Sequence, residues 1–201
     1  MTLTLYTNPM SRGRIAHWMM EEVGETYETR YLAFGTETAA PEYLALNPMG
    51  KVPTLVHDGR VVTECAAICL YLADAFPGTG LMPEDRAAGY RWMFFAAGPL
   101  EAAVTNRALG LEPPKEREVM VGYGSYDRTV DTLETAVSAR DFIAGTRFSC
   151  ADVIVGSQIG WGLQFGTLPD RPAFRAYWDR LKDRPALLQA NAVDDARIGE
   201  P

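Results

Sequence analysis

Asn47-Pro48-Met49-Gly50-Lys51-Val52-Pro53-Thr54-Leu55, with Glu64-Cys65 a short way further on, is the stretch from which the fold can be read outward. A proline before a short apolar run cannot donate to a sheet ladder, so Pro53 belongs at the start of a strand or beside it. If the Val52–Pro53 bond is cis, the backbone of Val52 turns outward, and its N–H and C=O are free to pair with an extended ligand. Asp58-Gly59 is a two-residue hairpin signal, and Arg60-Val61-Val62-Thr63 reads as the returning strand. Glu64 and Cys65 then open a helix, whose unpaired first-turn N–H groups suit an anion. A backbone edge for an extended ligand next to a helix start for a carboxylate is a layout that holds a small acidic peptide.

Composition narrows the classes. In 201 residues, 47% are apolar and 22% charged, which fits an ordinary globular core of one large or two small domains. The net charge of −7 argues against nucleic acid, whose phosphates call for a basic surface. The three cysteines form no Cys-x-x-Cys pair, and with two histidines they make no obvious zinc site, so reduced thiols and no metal are expected. The N-terminus lacks the basic and apolar regions of a signal peptide, and no run approaches the ~20 apolar residues of a membrane span. The expectation is a soluble, cytoplasmic protein without a membrane partner.

Working outward, Thr2 to Tyr6 alternates as a strand and Asn8-Pro9 breaks it. Ile15, Trp18, Met19 and Val23 give a helical face over 12–23, stopped by Gly24. Tyr27 to Leu32 reads as a second strand, parallel to the first because a helix joins them. With a short helix over 41–46, the hairpin and a helix over 64–75, the order is β-α-β-α-β-β-α. Phe76-Pro77-Gly78-Thr79-Gly80-Leu81-Met82-Pro83 is the natural break. Beyond it the pattern is helical: one long helix over 86–109, one from Pro113-Pro114 to about Arg140, one starting at Ser149 to Asp152 with a near capping box, and the last over 171–184 and 185–191. The expected division is a domain at 1–76, a linker at 77–85 and an all-helical domain at 86–201.

Four features together resemble the cytosolic glutathione transferases, and the resemblance spans essentially the whole chain. They are Leu5-Tyr6 with Ser11 before the first helix, the segment from Asn47 to Pro53, Glu64-Cys65-Ala66-Ala67-Ile68, and Phe142-Ile143-Ala144-Gly145 with Phe148-Ser149-Cys150-Ala151-Asp152. The resemblance, closer to bacterial, serine-type members than to tyrosine-type ones, implies an α/β thioredoxin-like N-terminal domain with a cis-proline. It also implies an all-α C-terminal domain, a homodimer, and glutathione as co-substrate, with no other cofactor.

In that reading the γ-glutamyl carboxylate of glutathione sits at the helix start, where Glu64 faces its ammonium group and Cys65 stands where relatives usually have Ser. A thiol is the weaker donor. Val52, ahead of Pro53, pairs with the cysteinyl amide, and Lys51 is the nearest cation for the glycyl carboxylate. Ser11, which by itself reads as an ordinary N-cap, stabilises the thiolate that is the nucleophile. Tyr6 is the rival activator and Arg12 a neighbouring charge. Asn8 and Met10 shape the mouth, and Asp152 is a folding device without chemistry. The electrophile, a small hydrophobic molecule, is expected around Phe94, Phe95, Gly98, Pro99 and Glu101. His17 and His57 read as a helix-surface and a hairpin residue without catalytic partners.

The expected activity is glutathione transfer to a hydrophobic electrophile, a detoxifying reaction. Two alternatives stand beside it. One is glutathione-dependent disulfide or peroxide reduction, disfavoured in its protein-thiol form because Met10-Ser11 supplies no redox cysteine. The other is a non-catalytic binding module on the same fold, disfavoured because Ser11, Val52-Pro53 and Glu64 are all present.

Overall fold

The computed structural model describes residues 2–198. Contacts divide the chain into two compact units. One holds the chain through Leu81 and again from Arg184, and the other runs Met82–Asp183. The sequence division put everything from 86 onward in the second domain; in the structure the last helix packs with the first unit instead.

In the first unit, β1 (Leu3–Thr7), β2 (Glu28–Tyr31), β3 (Thr54–His57) and β4 (Arg60–Thr63) form one sheet in the order β2-β1-β3-β4. β1 and β2 are parallel, joined through α1 (Gly13–Val23), and the other pairs are antiparallel. The alternation in β1 sends Leu3, Leu5 and Thr7 into the core and leaves Thr4 and Tyr6 half-buried on the opposite face. Gly24, at φ 73°, ends α1 in the left-handed conformation that costs glycine nothing. The short α2 (Pro41–Leu44) precedes the Asn47 segment, and α3 (Cys65–Ala75) buries Ile68, Cys69 and Leu72.

α1 packs on α3 and also on α9 (Pro185–Arg197), which is longer than the seven residues expected from its sequence. This second neighbour explains why α1 is buried nearly all round. Met20 and His17 are closed off from solvent along with the expected Ile15, Trp18 and Met19. His17 is therefore a core residue and not a surface one. Its Nδ1 lies 3.0 Å from Oδ1 of the fully buried Asp194 on α9. His57 does sit in the hairpin, where Tyr71 meets its Nδ1 at 2.9 Å and the Phe76 ring stacks on it.

The second unit is helical. The long helix expected over 86–109 is divided into α4 (Arg86–Phe95), a π-helical turn at Ala96–Leu100 and α5 (Glu101–Ala108). Pro99 lies inside that turn and has no N–H to continue the α-helical ladder. The helix expected from Pro113 is likewise divided. A 3-10 segment covers Lys115–Met120, and α6 (Tyr126–Ser138) starts at Ser125, whose side chain accepts from the Arg128 N–H. α7 (Cys150–Phe165) carries a complete capping box with Asp152 in the acidic position. Asp152 is fully buried and accepts from the Ile143 N–H (2.8 Å), the Ser149 N–H and hydroxyl (2.9 and 3.0 Å) and the Tyr177 hydroxyl (2.6 Å). It ties the 142–145 turn, the start of α7 and α8 (Pro172–Asp179) together, a structural role as expected. Among the described residues no helix is long and apolar enough to cross a membrane, and no three of His, Cys, Asp and Glu gather as a metal site.

Candidate functional site

The Val52–Pro53 peptide bond is cis. Three buried side chains set the backbone ahead of it. Tyr43 of α2 donates its hydroxyl proton to the Lys51 carbonyl, and Asn47 Nδ2 donates to the same oxygen at 2.8 Å. Thr54 Oγ1 accepts from Asn47 at 3.2 Å and stands 2.8 Å from the Tyr43 hydroxyl. Because the single Tyr43 proton goes to a carbonyl, Thr54 must be the donor in that last contact. Burial raises the pKa of Tyr43, against the opposing effect of its Thr54 and Asn47 hydrogen bonds, so it remains a donor at neutral pH. Asn47 also accepts from the Met49 N–H and closes the turn. With Lys51 held in this way, no described residue pairs with the Val52 N–H or C=O. The Lys51 side chain is exposed.

Glu64 follows β4 at φ 67° and ψ 123°, a left-handed conformation that costs a non-glycine residue about 1–3 kcal/mol. It is exposed, and it is the N-cap of α3 without capping that helix through its own side chain. The first-turn N–H groups of α3 therefore point outward beside a carboxylate held in a strained backbone, and the dipole adds positive potential there. Cys65 is half-buried, and its thiol donates to the Arg12 carbonyl at 3.4 Å. That contact brings the start of α3 against the start of α1.

Ser11 sits in the turn between β1 and α1. The antiparallel register ends with Tyr6 opposite Thr54, so the end of β1 emerges beside Pro53. Ser11 Oγ accepts from the Gly13 N–H at 2.9 Å and donates to the Asn8 carbonyl at 2.6 Å. The N-cap of α1 is Arg12, so Ser11 holds the helix start from one residue further out. Gly13 has to be glycine. A Cβ there meets Thr7 Oγ1 at 1.9 Å and Ser11 Oγ at 2.9 Å. Arg12 is exposed and has contacts of its own. Tyr6 lies on the face of the sheet away from α1. Its hydroxyl accepts from Arg30 at 3.3 Å, and its ring packs 5.8 Å from that of Tyr43.

The structure thus groups Ser11, Arg12, Val52, Pro53, Glu64 and Cys65 at one end of the first unit. Tyr6 points toward β2 and α2. In the second unit Phe94 and Gly98 are exposed and Pro99 lies in the π-helical turn.

Sequence reasoning missed the residues that hold the site in shape. Asn47, Tyr43 and Thr54 set the Lys51 carbonyl, and the only signal of this in the sequence is the Asn-Pro-x-Gly turn chemistry. Asn8 Oδ1 accepts from the Met10 N–H, and its Nδ2 donates to the Leu32 carbonyl, so it fixes the Ser11 turn rather than merely flanking it. Arg14 has no sequence signal at all, because two of its partners, Asn191 and Asp195, are on α9.

Comparisons with known proteins identify the family. Residues 1–74 match the family model "Glutathione S-transferase, N-terminal domain". Glutathione S-transferase GST-4.5 of Xanthomonas campestris is 30% identical over 206 residues, covering 96% of this chain and 100% of that protein. A glutathione transferase from Methylococcus capsulatus superposes with a TM-score of 0.79 at 27% identity, covering 97% and 100% of the two chains. A sphingomonad glutathione S-transferase complexed with glutathione superposes at 0.78, also 27% identical, over 96% and 98%. On its sequence and its fold, the chain belongs to the glutathione S-transferase family.

Proposed function

We propose that the protein binds glutathione along Lys51–Pro53 and at the start of α3, and joins it through its sulfur to a small hydrophobic electrophile. The observation that carries this reading is the unpaired backbone of Val52 beside the cis-proline, in the same corner as the strained Glu64 and the N-terminus of α3. An extended peptide adds to the first, and a carboxylate with its neighbouring ammonium group suits the second. Lys51 is the cation nearest the other end of such a ligand.

Ser11 is the group that favours the thiolate. Its oxygen is anchored by the Gly13 N–H, and its proton turns from the Asn8 carbonyl to the bound sulfur, which it stabilises at the positive end of α1. With the thiol proton lost to solvent, the thiolate then attacks the electrophilic carbon. A C–S bond forms, and on an aryl halide the halide leaves with the bonding pair. Tyr6 is the weaker candidate because its side chain lies toward Arg30 of β2 and Tyr43 of α2. The turn from Asn8 to Arg12 has no cysteine, which weighs against reduction through a protein thiol.

Turnover of glutathione with an aryl halide tests the reading. Ser11→Ala is expected to lose on the order of 10²-fold in kcat/KM with glutathione still bound, the size of one lost donor to a developing anion. Unchanged turnover removes Ser11, and failure of the wild type to bind immobilised glutathione leaves a non-catalytic module. A second copy of the chain is the proposed partner, and the cytoplasm, which suits three thiols outside any disulfide, the proposed compartment.

A further inference from the structure

α9 reaches the Ser11 turn through one side chain. Arg14 Nε donates to the Pro9 carbonyl at 2.6 Å, inside the turn Asn8–Ser11. The other two guanidinium nitrogens point the opposite way, to α9: Nη2 lies 2.5 Å from Asp195 Oδ1 and Nη1 donates to Asn191 Oδ1 at 3.4 Å. The Arg14 side chain is only 18% exposed, so the bridge is largely shielded, while Asp195 is open at 64%. A planar guanidinium is needed for this, since it offers donors in fixed, diverging directions, and an ammonium does not.

Four other hydrogen bonds fix the turn. Asn8 is tied to the Leu32 carbonyl and to the Met10 N–H, and Ser11 Oγ to the Asn8 carbonyl and the Gly13 N–H. Pro9, which has no N–H, is held only through its carbonyl, and Arg14 is what holds it. Arg14 thus holds the one peptide carbonyl of Pro9, which lies in the chain between the Asn8 carbonyl and the Ser11 hydroxyl.

We propose that Arg14 is a positioning residue for Ser11, and that Asn191 and Asp195 of α9 act on the reaction through it. Arg14 does not touch the sulfur. It sets where the Ser11 hydroxyl stands, so this inference rests on Ser11 being the group that favours the thiolate.

The test is the apparent pKa of the glutathione thiol bound to the whole chain, titrated by thiolate absorbance and so independent of turnover. The set is wild type, Ser11→Ala, Arg14→Lys, Asp195→Asn and Ser11→Ala/Arg14→Lys, with thermal midpoints recorded for each. Ser11→Ala and Arg14→Lys are each expected to raise that pKa by about one pH unit, and Asp195→Asn to raise it less. The double variant is expected to titrate with Ser11→Ala alone, because a residue acting through Ser11 has nothing to add once the hydroxyl is gone. An Arg14→Lys thiol pKa equal to wild type overturns the proposal, even with a lowered melting point, and so does an additive shift in the double variant. An unshifted Ser11→Ala overturns the Ser11 reading itself and is recognised separately by that arm. Asp195→Asn, at an exposed side chain, keeps the test open should Arg14→Lys fold poorly.

Discussion

His17 Nδ1 and Asp194 Oδ1 face each other at 3.0 Å across the α1–α9 interface, with both side chains closed to water. The two atoms meet the distance of a hydrogen bond but not its geometry. The Tyr27 ring stands edge-on to the imidazole at 5.9 Å, and Tyr27 donates its proton to Glu21, the other acid near His17. A buried polar pair of imperfect geometry contributes little over an apolar pair of the same shape, yet losing one member leaves the other stranded. Asp194→Ala is expected to cost about 3 kcal/mol in urea unfolding, and Asp194→Leu with His17→Leu to recover most of it. Equal losses in the single and double variants would contradict this.

Gly13→Ala places a methyl group on Thr7 Oγ1 and beside Ser11 Oγ. We expect lost stability and a larger loss of turnover, because the Ser11 turn has to move. Thr7→Ala removes the nearer obstacle, so the Gly13→Ala/Thr7→Ala protein should regain stability before it regains activity, as thermal melts and kinetics on the same samples will show.

Asp152 collects four donors from three parts of the second unit. Asp152→Ala strands two backbone N–H groups in the interior and should cost about 3 kcal/mol or more. Asp152→Asn keeps one acceptor and should fall between Ala and the wild type. Denaturant midpoints at constant m-value give the order, and an Asn variant no better than Ala would refute it.

Burial pushes the Cys150 thiol up to about 12, with the Asp152 charge adding to the effect. Its charged form is the disfavoured one, so raising the pH from 7 to 9 leaves roughly one thiolate in a thousand. Cys69 is equally enclosed, and Cys65 is half-buried. Iodoacetamide on the native protein is therefore expected to label Cys65 first across this range and Cys150 only after unfolding, as mass spectrometry of the peptides will record.

Cys65→Ser is expected to tighten glutathione several-fold, the effect of replacing a weak donor with a hydroxyl at the α3 start. Calorimetry that finds equal or weaker binding would show that the Arg12 contact of the thiol matters more than the ligand does.

The first unit was largely legible because its signals are local. Asp58-Gly59 marks its own hairpin, Gly24 ends its own helix, and Val52-Pro53 restricts its own backbone. Elements misread in the second unit failed for a local reason too. The apolar stripe runs on through Pro99 and past Gly122 and Gly124, and periodicity does not register the break in hydrogen bonding. The binding groups carried their own chemistry, so Ser11, Val52, Pro53 and Glu64 could be named from type and spacing. Their supports could not. Tyr43 and Thr54 look like ordinary helix and strand residues, and His17 and Arg14 like the polar side of an amphipathic helix. Only the return of α9, from more than 150 residues away in the chain, gives those two their meaning.

That return also orders events during synthesis. The first unit is interrupted by Met82–Asp183 and completed by the segment that begins at Arg184. While a ribosome is still making the second unit, the face of α1 that carries Arg14 and His17 has not yet met α9. A nascent chain halted anywhere before α9 exposes a sticky helix and a loosely held Ser11 turn, and chaperones and proteases recognise such surfaces. A helix made late thus acts as a seal on one made early, and a chain halted short of it leaves that seal open.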